Sequence, residues 1–117
     1  MNNFTEKEYW EKYWKNHKGP FEIKRRENEL LLNEILDIFD RYLPVNENMN
    51  VLEIGGAPGH YLMYMAKNYK YKVHSSDYSK VGNELTIKNF QIAGLDVKVY
   101  YMDFFRTTVM SHYLNLT

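Results

Sequence analysis

The sequence contains no cysteine, and its charges balance, with 15 Lys and Arg against 15 Asp and Glu. Without cysteine, a disulfide framework, a thiolate metal site and a cysteine nucleophile are excluded. The zero net charge gives no overall field that would hold a phosphate backbone, so nucleic acid is not an expected partner. The lack of disulfide chemistry suits a reducing compartment, and we expect a cytoplasmic location.

Long hydrophobic runs are also missing. The longest apolar segments are far shorter than a bilayer span, and the polar segment after Met1 does not read as a secretory signal. We therefore expect a soluble chain with no membrane partner. Aromatic residues make up 16% of the 117 residues, which favours a packed globular chain over a disordered one. The length fits a single domain.

Two helices are predicted at the start of the chain. Thr5 and Glu8 fit a capping box, and aromatic residues then recur at helical spacing as far as His17. These aromatic residues are Tyr9, Trp10, Tyr13 and Trp14. A second helix is predicted from about Ile23 to Tyr42, because an apolar stripe runs through this segment.

Strands and helices alternate in the rest of the chain. Asn50 to Ile54 is predicted to be a strand too apolar to be half exposed, and therefore to lie inside a parallel sheet. The further predicted elements are a helix at Gly59 to Lys67, a strand at Tyr71 to Ser75, a helix capped by Ser79 that ends at Gly94, and a strand at Val97 to Met102. Phe104 to Thr117 shows no clear pattern.

This order predicts an α/β fold with a Rossmann-like, partly or wholly parallel sheet behind two leading helices, truncated after about three strands. Residues 1–45 are expected to form the leading helices that cover the sheet, and residues 46–117 the βαβαβ core of the same domain. Ligands of such sheets bind outside the carboxyl ends of the strands, which lie here near Ile54, Ser76 and Met102.

A glycine-rich turn follows the first strand, in the segment VLEIGGAPG from Val51 to Gly59. Glycines in such a turn allow backbone amides to approach a ligand closely, although a purely structural tight turn is the alternative. The dinucleotide pattern requires a small residue where His60 stands, which disfavours NAD and FAD. The strand, the turn and an acidic residue after the next apolar run, Asp77, together predict a site for an adenosine-bearing cofactor.

The segment VLEIGGAPGHYL resembles motif I of class I S-adenosylmethionine-dependent methyltransferases, an acidic residue followed by G-x-G-x-G. Ala57 stands in place of the middle glycine. VHSSDYS resembles the second motif of that family, in which an acidic residue binds both ribose hydroxyls. VYYMDF resembles the third, in which an acidic side chain reaches the adenine amino group and an apolar neighbour packs on the ring.

The resemblance implies S-adenosyl-L-methionine as the cofactor. The implied cofactor-binding residues are Glu53, Gly55, Gly56, Ala57, Gly59, Asp77, Tyr78, Met102 and Asp103. Asp77 would bind the ribose, Glu53 would lie near the methionine amine, and Met102 with Asp103 would hold the adenine. The alternatives are a loop or helix-capping aspartate at Asp77, a structural salt bridge at Glu53 and a solvated carboxylate at Asp103.

Other candidate residues are less specific. The aromatic residues of the first helix resemble segments that cover the cofactor in small-molecule methyltransferases, but the same spacing is typical of a helix packed on a sheet. Arg25 or Arg26 could reach the cofactor carboxylate, or form a solvated basic face. The four histidines lack the spacing of metal ligands, and the catalytic base is unassigned, with His60 the best candidate.

The resemblance covers about residues 5 to 104, the first half of the family fold. It implies a methyltransferase acting on a small-molecule acceptor, or the cofactor-binding portion of one. A catalytically inactive truncated module is the alternative, and a nucleotide-dependent oxidoreductase is a third, disfavoured interpretation. The strands that would follow in the family are missing from the sequence, which predicts an open edge on the first strand and, as its consequence, self-association through that edge, domain swapping or marginal stability.

Overall fold

The structure, a computed structural model, describes residues 7–16 and 23–102. Within these residues, four helices and three strands follow one another along the chain. They are α1 (Lys7–Lys15), α2 (Leu30–Tyr42), β1 (Asn50–Ile54), α3 (His60–Tyr69), β2 (Lys72–Asp77), α4 (Lys80–Ala93) and β3 (Lys98–Tyr101). None of the helices in this part of the chain is long and apolar enough to cross a membrane.

The three strands form one parallel sheet in the order β1-β2-β3. Glu53 of β1 pairs with Ser75, and Asp77 of β2 pairs with Tyr101, so the carboxyl ends of the strands meet at one edge of the sheet. Each pair of strands is joined through a helix, as parallel strands require. The predicted α/β fold with a truncated, Rossmann-like parallel sheet is confirmed.

The core lies where α2, α3 and α4 pack against the central strand. Leu36, Leu62, Val73 and Phe90 are buried and belong to one contiguous apolar cluster. Each of the three helices and β2 contributes a side chain to this cluster, so burial of apolar surface joins elements that are distant in sequence.

Helix α4 begins and ends where the sequence predicted. The Ser79 hydroxyl accepts a hydrogen bond from the Gly82 amide at 3.0 Å, which satisfies one of the free amides of the first turn. Gly94 follows the helix at φ +69° and donates its amide to the Gln91 and Phe90 carbonyls. This left-handed backbone conformation explains why glycine stands there.

Helix α2 begins at Leu30, so the prediction of a start near Ile23 was wrong. The segment before it turns back along the helix, because the Arg25 guanidinium binds Asp37 at 2.7 Å and Asp40 at 2.6 Å. The Asn33 side chain also bonds the backbone of Arg26 through both its amide nitrogen and its oxygen. These side-chain bonds compete with continuation of the helix.

The prediction that β1 is fully buried was also wrong. Its side chains alternate, with Val51 and Glu53 partly buried, whereas Leu52 is 50% and Ile54 62% exposed. Within the described residues, β1 is an edge strand and pairs with β2 alone. The sequence of β1 is apolar enough for burial on both faces of a sheet, but its side chains at Leu52 and Ile54 are exposed here.

Smaller differences concern element ends. Helix α3 runs to Tyr69, past the predicted Lys67, and strand β2 runs to Asp77, past the predicted Ser75. Strand β3 is shorter than predicted at both ends. The predicted cap at Thr5 and the segment from Phe104 to Thr117 lie outside the described residues.

A pair of leucines on α2 tests the packing of the core. Leu36 is completely buried, whereas Leu31 is 72% exposed. We expect Leu36→Ala to lower the free energy of unfolding by about 2–5 kcal/mol through lost burial and the cavity left behind. Leu31→Ala should change it by less than about 0.5 kcal/mol. Urea unfolding followed by circular dichroism measures both, and equal effects would contradict the assigned packing of α2.

Candidate functional site

The glycine-rich turn is attached to the end of β2 through backbone hydrogen bonds. The amides of Gly55 and Gly56 both donate to the carbonyl oxygen of Ser76, at 2.8 and 3.1 Å. Gly59 donates in turn to the Gly56 carbonyl at 2.7 Å and closes the loop. The turn after β1 is thereby held beside the carboxyl end of β2, where parallel sheets bind ligands.

Gly55 and Gly56 face different surroundings. A Cβ atom on Gly56 would lie 2.3 Å from the Ser75 hydroxyl and 3.2 Å from Glu53 Oε1, so this position faces the protein interior. Gly55 has φ +68°, which favours glycine, and a Cβ atom there would meet nothing within 4 Å. The turn thus leaves open space at Gly55, where a ligand could approach the backbone.

Asp77 ends β2 and binds the same turn. Its Oδ2 accepts a hydrogen bond from the Ala57 amide at 3.3 Å, and its Oδ1 accepts one from the Ser79 amide at 2.9 Å. Asp77 therefore bridges the turn after β1 and the start of α4. The predicted site residues Gly55, Ala57 and Asp77 come together in the structure.

The Asp77 carboxylate keeps capacity for a ligand. An ionised carboxylate offers about four acceptor positions, of which the amides of Ala57, Ser79 and Tyr78 occupy up to three. Burial raises the pKa of Asp77, and the hydrogen bonds from the amides of Ser79, Ala57 and Tyr78 oppose that rise. The alternative interpretation was a loop or helix-capping aspartate. The Asp77 side chain does make a contact of that kind, because it bonds the amide of Ser79, the residue that caps α4.

Glu53 lies on the inward face of β1, beneath the turn. Burial raises the pKa of its carboxyl group from 4.5 to about 7, and within the described residues no cation pairs with it. The structural salt bridge considered for Glu53 is therefore absent from this part of the chain. Ser75, which is fully buried and faces the same glycine, has a hydroxyl without a hydrogen-bond partner there.

The remaining predicted residues lie at the next strand. Met102 is buried directly after β3, and its amide donates to the Asp77 carbonyl at 3.1 Å. Tyr78 is partly buried and follows Asp77. Asp103 lies outside the described residues, so its position is not part of the site as the structure shows it.

Sequence reasoning missed two buried asparagines on α4 that hold the site. The Asn83 amide nitrogen donates to the Asp77 carbonyl at 2.9 Å, and that of Asn89 donates to the Pro58 carbonyl at 3.0 Å. Both side chains are buried in α4, a helix that was predicted from the spacing of its apolar residues. Asparagine on the inward face of a helix was the available signal, because a buried amide requires partners.

Helix α1 packs mainly on the start of α4, and its Lys7 lies over the ring of Tyr101 in β3, 4.7 Å from the ring centroid. The Glu11 carboxylate accepts hydrogen bonds from the Lys80 and Val81 amides at the amino end of α4. The buried Trp14 lies against Gly82, where a Cβ atom would be 2.9 Å from the indole. The prediction that the large side chains of this helix pack on the sheet is therefore corrected for Trp14, which packs on α4. The covering role remains a prediction.

Of the other candidates, His60 lies next to the turn and the rest lie apart from it. Arg25 bonds Asp37, Asp40 and the Tyr64 hydroxyl beside α2 and α3. This arrangement is neither the predicted contact with a cofactor carboxylate nor the predicted solvated basic face. His60 is the first residue of α3, next to the turn, whereas His74 lies in β2 and bonds Tyr100 and Asn50. In residues 7–16 and 23–102, no group of acidic and histidine side chains is arranged to hold a metal ion.

The fold resembles solved methyltransferases. A coclaurine N-methyltransferase bound to N-methylheliamine and SAH aligns with 69% of this chain at 24% identity and a TM-score of 0.55. The geranyl diphosphate C-methyltransferase of Streptomyces coelicolor A3(2), in complex with Mg2+, geranyl diphosphate and S-adenosyl-L-homocysteine, aligns with 83% at 12% identity and a TM-score of 0.57. A protein-L-isoaspartate O-methyltransferase aligns with 62% at 27% identity and a TM-score of 0.51.

The aligned region is a small part of these proteins. It spans 25% of the N-methyltransferase, 46% of the C-methyltransferase and 24% of the isoaspartate enzyme. No protein-family model matches the sequence, and no curated protein matches it. The predicted resemblance to class I methyltransferases is thus confirmed at the level of the fold, over part of their length.

The buried carboxyl group of Glu53 predicts a pH dependence of stability. Its pKa is higher in the folded chain, at about 7, than the ordinary value of 4.5, so the folded state binds the proton more tightly than the unfolded state. Ionisation of Glu53 should therefore lower the free energy of unfolding as the pH rises from about 4.5 to about 7. The loss is complete above that range.

Urea unfolding of the wild type and Glu53→Gln between pH 4 and pH 8 measures this effect. We expect the wild type to lose stability relative to Glu53→Gln as the pH rises, because the amide does not ionise. Glu84→Gln, at an exposed position of α4, is the matched control and should follow the wild type. A constant difference between the wild type and Glu53→Gln across this range would contradict the assignment.

Proposed function

We propose that this chain is an S-adenosyl-L-methionine-dependent methyltransferase or the cofactor-binding portion of one. The observation that carries the proposal is the position of Asp77, which is held beside an open glycine-rich turn at the carboxyl end of the central strand. A carboxylate there can accept both hydroxyls of a ribose, and the turn offers backbone close to the rest of the ligand. The fold shared with solved methyltransferases supports the proposal.

Each site residue has a part in this proposal. Asp77 binds the ribose hydroxyls, and Gly55, Gly56, Ala57 and Gly59 bring the backbone of the turn against the methionine portion. Glu53 binds the methionine amine, whose positive charge would favour the ionised carboxylate and lower its raised pKa.

The adenine would lie near the end of β3. Met102 is buried there and supplies an apolar contact for the ring. Tyr78 follows the ribose-binding position, and we assign Asp103 to the adenine amino group. In this arrangement residues 46–117 form the cofactor-binding core, and residues 1–45 cover it.

The reaction would transfer the sulfonium methyl group in line to a nucleophilic oxygen, nitrogen or carbon atom. The carbon–sulfur bond breaks as the new bond forms, and the products are S-adenosylhomocysteine and the methylated acceptor, which releases a proton where it carried one. Positioning of the two reactants would supply most of the rate. A small-molecule acceptor is supported by the small molecules bound in two of the similar structures.

An inactive binding module is the second candidate. The aligned region spans less than half of each similar methyltransferase, so more than half of each of those proteins has no aligned counterpart in this chain. Under this alternative the chain would bind the cofactor without turnover. Transfer of a radiolabelled methyl group to any acceptor by the chain alone would eliminate the alternative, and binding without transfer would support it.

Binding of S-adenosylhomocysteine tests the cofactor assignment. We expect micromolar binding by calorimetry and a higher melting temperature, since a ligand of the native state stabilises it. Asp77→Ala should weaken binding by roughly tenfold or more, because hydrogen bonds to a charged group are lost. Asp96→Ala removes an exposed carboxylate between α4 and β3 and should bind as the wild type does.

The outcomes of this titration are distinct. No binding at millimolar S-adenosylhomocysteine by a folded chain would refute the cofactor assignment. Binding that Asp77→Ala leaves unchanged would refute the role of Asp77. Binding of NAD in its place would favour the oxidoreductase interpretation.

We further propose self-association through the open edge of β1. This strand exposes Leu52 and Ile54 and contains none of the lysines or prolines that blunt edge strands. We expect the molar mass measured by light scattering to rise with protein concentration. Leu52→Lys should suppress the rise, whereas Leu31→Lys, on the exposed side of α2, should leave it unchanged. A compact wild-type monomer at all concentrations would contradict the proposal.

A further inference from the structure

A second candidate ligand site lies away from the glycine-rich turn. A groove of about 700 Å³ is bounded by the carboxyl-terminal halves of α3 and α4 and by the segment 23–26 that precedes α2. We call it the basic groove. Its volume falls within the range of small-molecule sites, about 300–1,000 Å³.

The charges along the basic groove have one sign. Among the described residues that line it, four are basic and none is acidic; the basic ones are Lys24, Arg25, Arg26 and Lys67. Arg25 is bound by Asp37 and Asp40 outside the groove, and Arg26 lies 3.7 Å from Glu29. Lys24 is exposed and forms no ion pair with any residue in the described ranges. The groove therefore carries positive charge that the surrounding acids leave partly unneutralised.

Apolar side chains line the same groove. They come from the segment before α2, from both helices and from the loop after α4, and they include Ile23, Met63, Ile92 and Leu95. Ile92 is 57% exposed, although large apolar side chains gain free energy when they are covered. A ligand that used the groove fully would cover this surface as well as meet the positive charge.

We propose that the basic groove binds a small amphipathic anion, with a hydrocarbon tail and a carboxylate or phosphate head. The tail would lie on Ile92 and on the partly exposed Ile23 and Leu95, and the head would meet Lys24 at the rim. A compact inorganic anion would leave the apolar surface uncovered, and an uncharged lipid would leave the cations unmatched. An amphipathic anion matches both the apolar surface and the positive charge, so it is favoured over an inorganic anion and over an uncharged lipid.

The basic groove is a separate site from the one assigned to the cofactor. The turn and Asp77 lie at the carboxyl ends of the strands. The groove lies between the segment 23–26 and the carboxyl-terminal halves of α3 and α4. Asn89 lines the groove and donates to the Pro58 carbonyl in the turn, so one buried side chain touches both places. The inference does not depend on the proposed function, because it rests on other residues.

Titration with dodecanoate, dodecyl phosphate and dodecanol, below their aggregation concentrations and without any adenosyl compound, tests the proposal. We expect the two anions to bind at least about fivefold more tightly than the alcohol, as one partly screened ion pair would give. Preference for one anion over the other identifies the head group as carboxylate or phosphate. Calorimetry measures the affinities.

Variants locate the site. Lys24→Glu should weaken binding of the anions by roughly fivefold and leave that of the alcohol unchanged. Lys88→Glu, at an exposed position of α4 that does not line the groove, is the control for net charge. Ile92→Asp places a charge on the exposed apolar wall, where the fold should tolerate it, and should weaken both anions.

Equal affinity for the alcohol and the anions would refute recognition of a charged head. Equal effects of Lys24→Glu and Lys88→Glu would refute the location in the basic groove. Binding unaffected by Ile92→Asp in a chain with a wild-type circular dichroism spectrum would refute the apolar contact. Because no adenosyl compound is present, each result is independent of the cofactor assignment.

Discussion

The site depends on a few backbone hydrogen bonds at the carboxyl end of β2. Two successive amides of the turn, from Gly55 and Gly56, share the Ser76 carbonyl oxygen, and the next residue of β2 bonds Ala57 through its side chain. These bonds join the turn to strand residues that are 20 or 21 positions later in the sequence. Gly56 makes this possible, because any larger residue would collide with Ser75 beneath it.

Much of this arrangement was predictable from local patterns. The order of strands and helices, the cap at Ser79 and the left-handed residue Gly94 follow from short-range chemistry, and each stands where the sequence indicated. Asp77 and the turn were predicted to lie together because parallel strands bring their carboxyl ends to one edge. The structure shows that contact, while the role of the contact in binding stays a prediction.

The errors have a common physical cause in interactions distant along the chain. Arg25 turns the chain back along α2 through acids twelve and fifteen residues away, and no helical periodicity reports such a contact. The exposure of Leu52 depends on what covers the face of the sheet to which its side chain points, which an apolar sequence cannot specify. Asn83 and Asn89 escaped notice because helix patterns are read from apolar residues, and a buried polar partner breaks that rule.

The contact between Glu11 and α4 has a consequence for the amino-terminal helix. A carboxylate supplied from 69 residues earlier meets the free amides and the positive dipole end of α4, only three residues beyond Asp77. Attachment of α1 is thus partly electrostatic and weakens with rising ionic strength, whereas Trp14 against Gly82 resists salt. Helix α1 is therefore attached to the start of the helix whose capping residue, Ser79, bonds the proposed ribose-binding carboxylate.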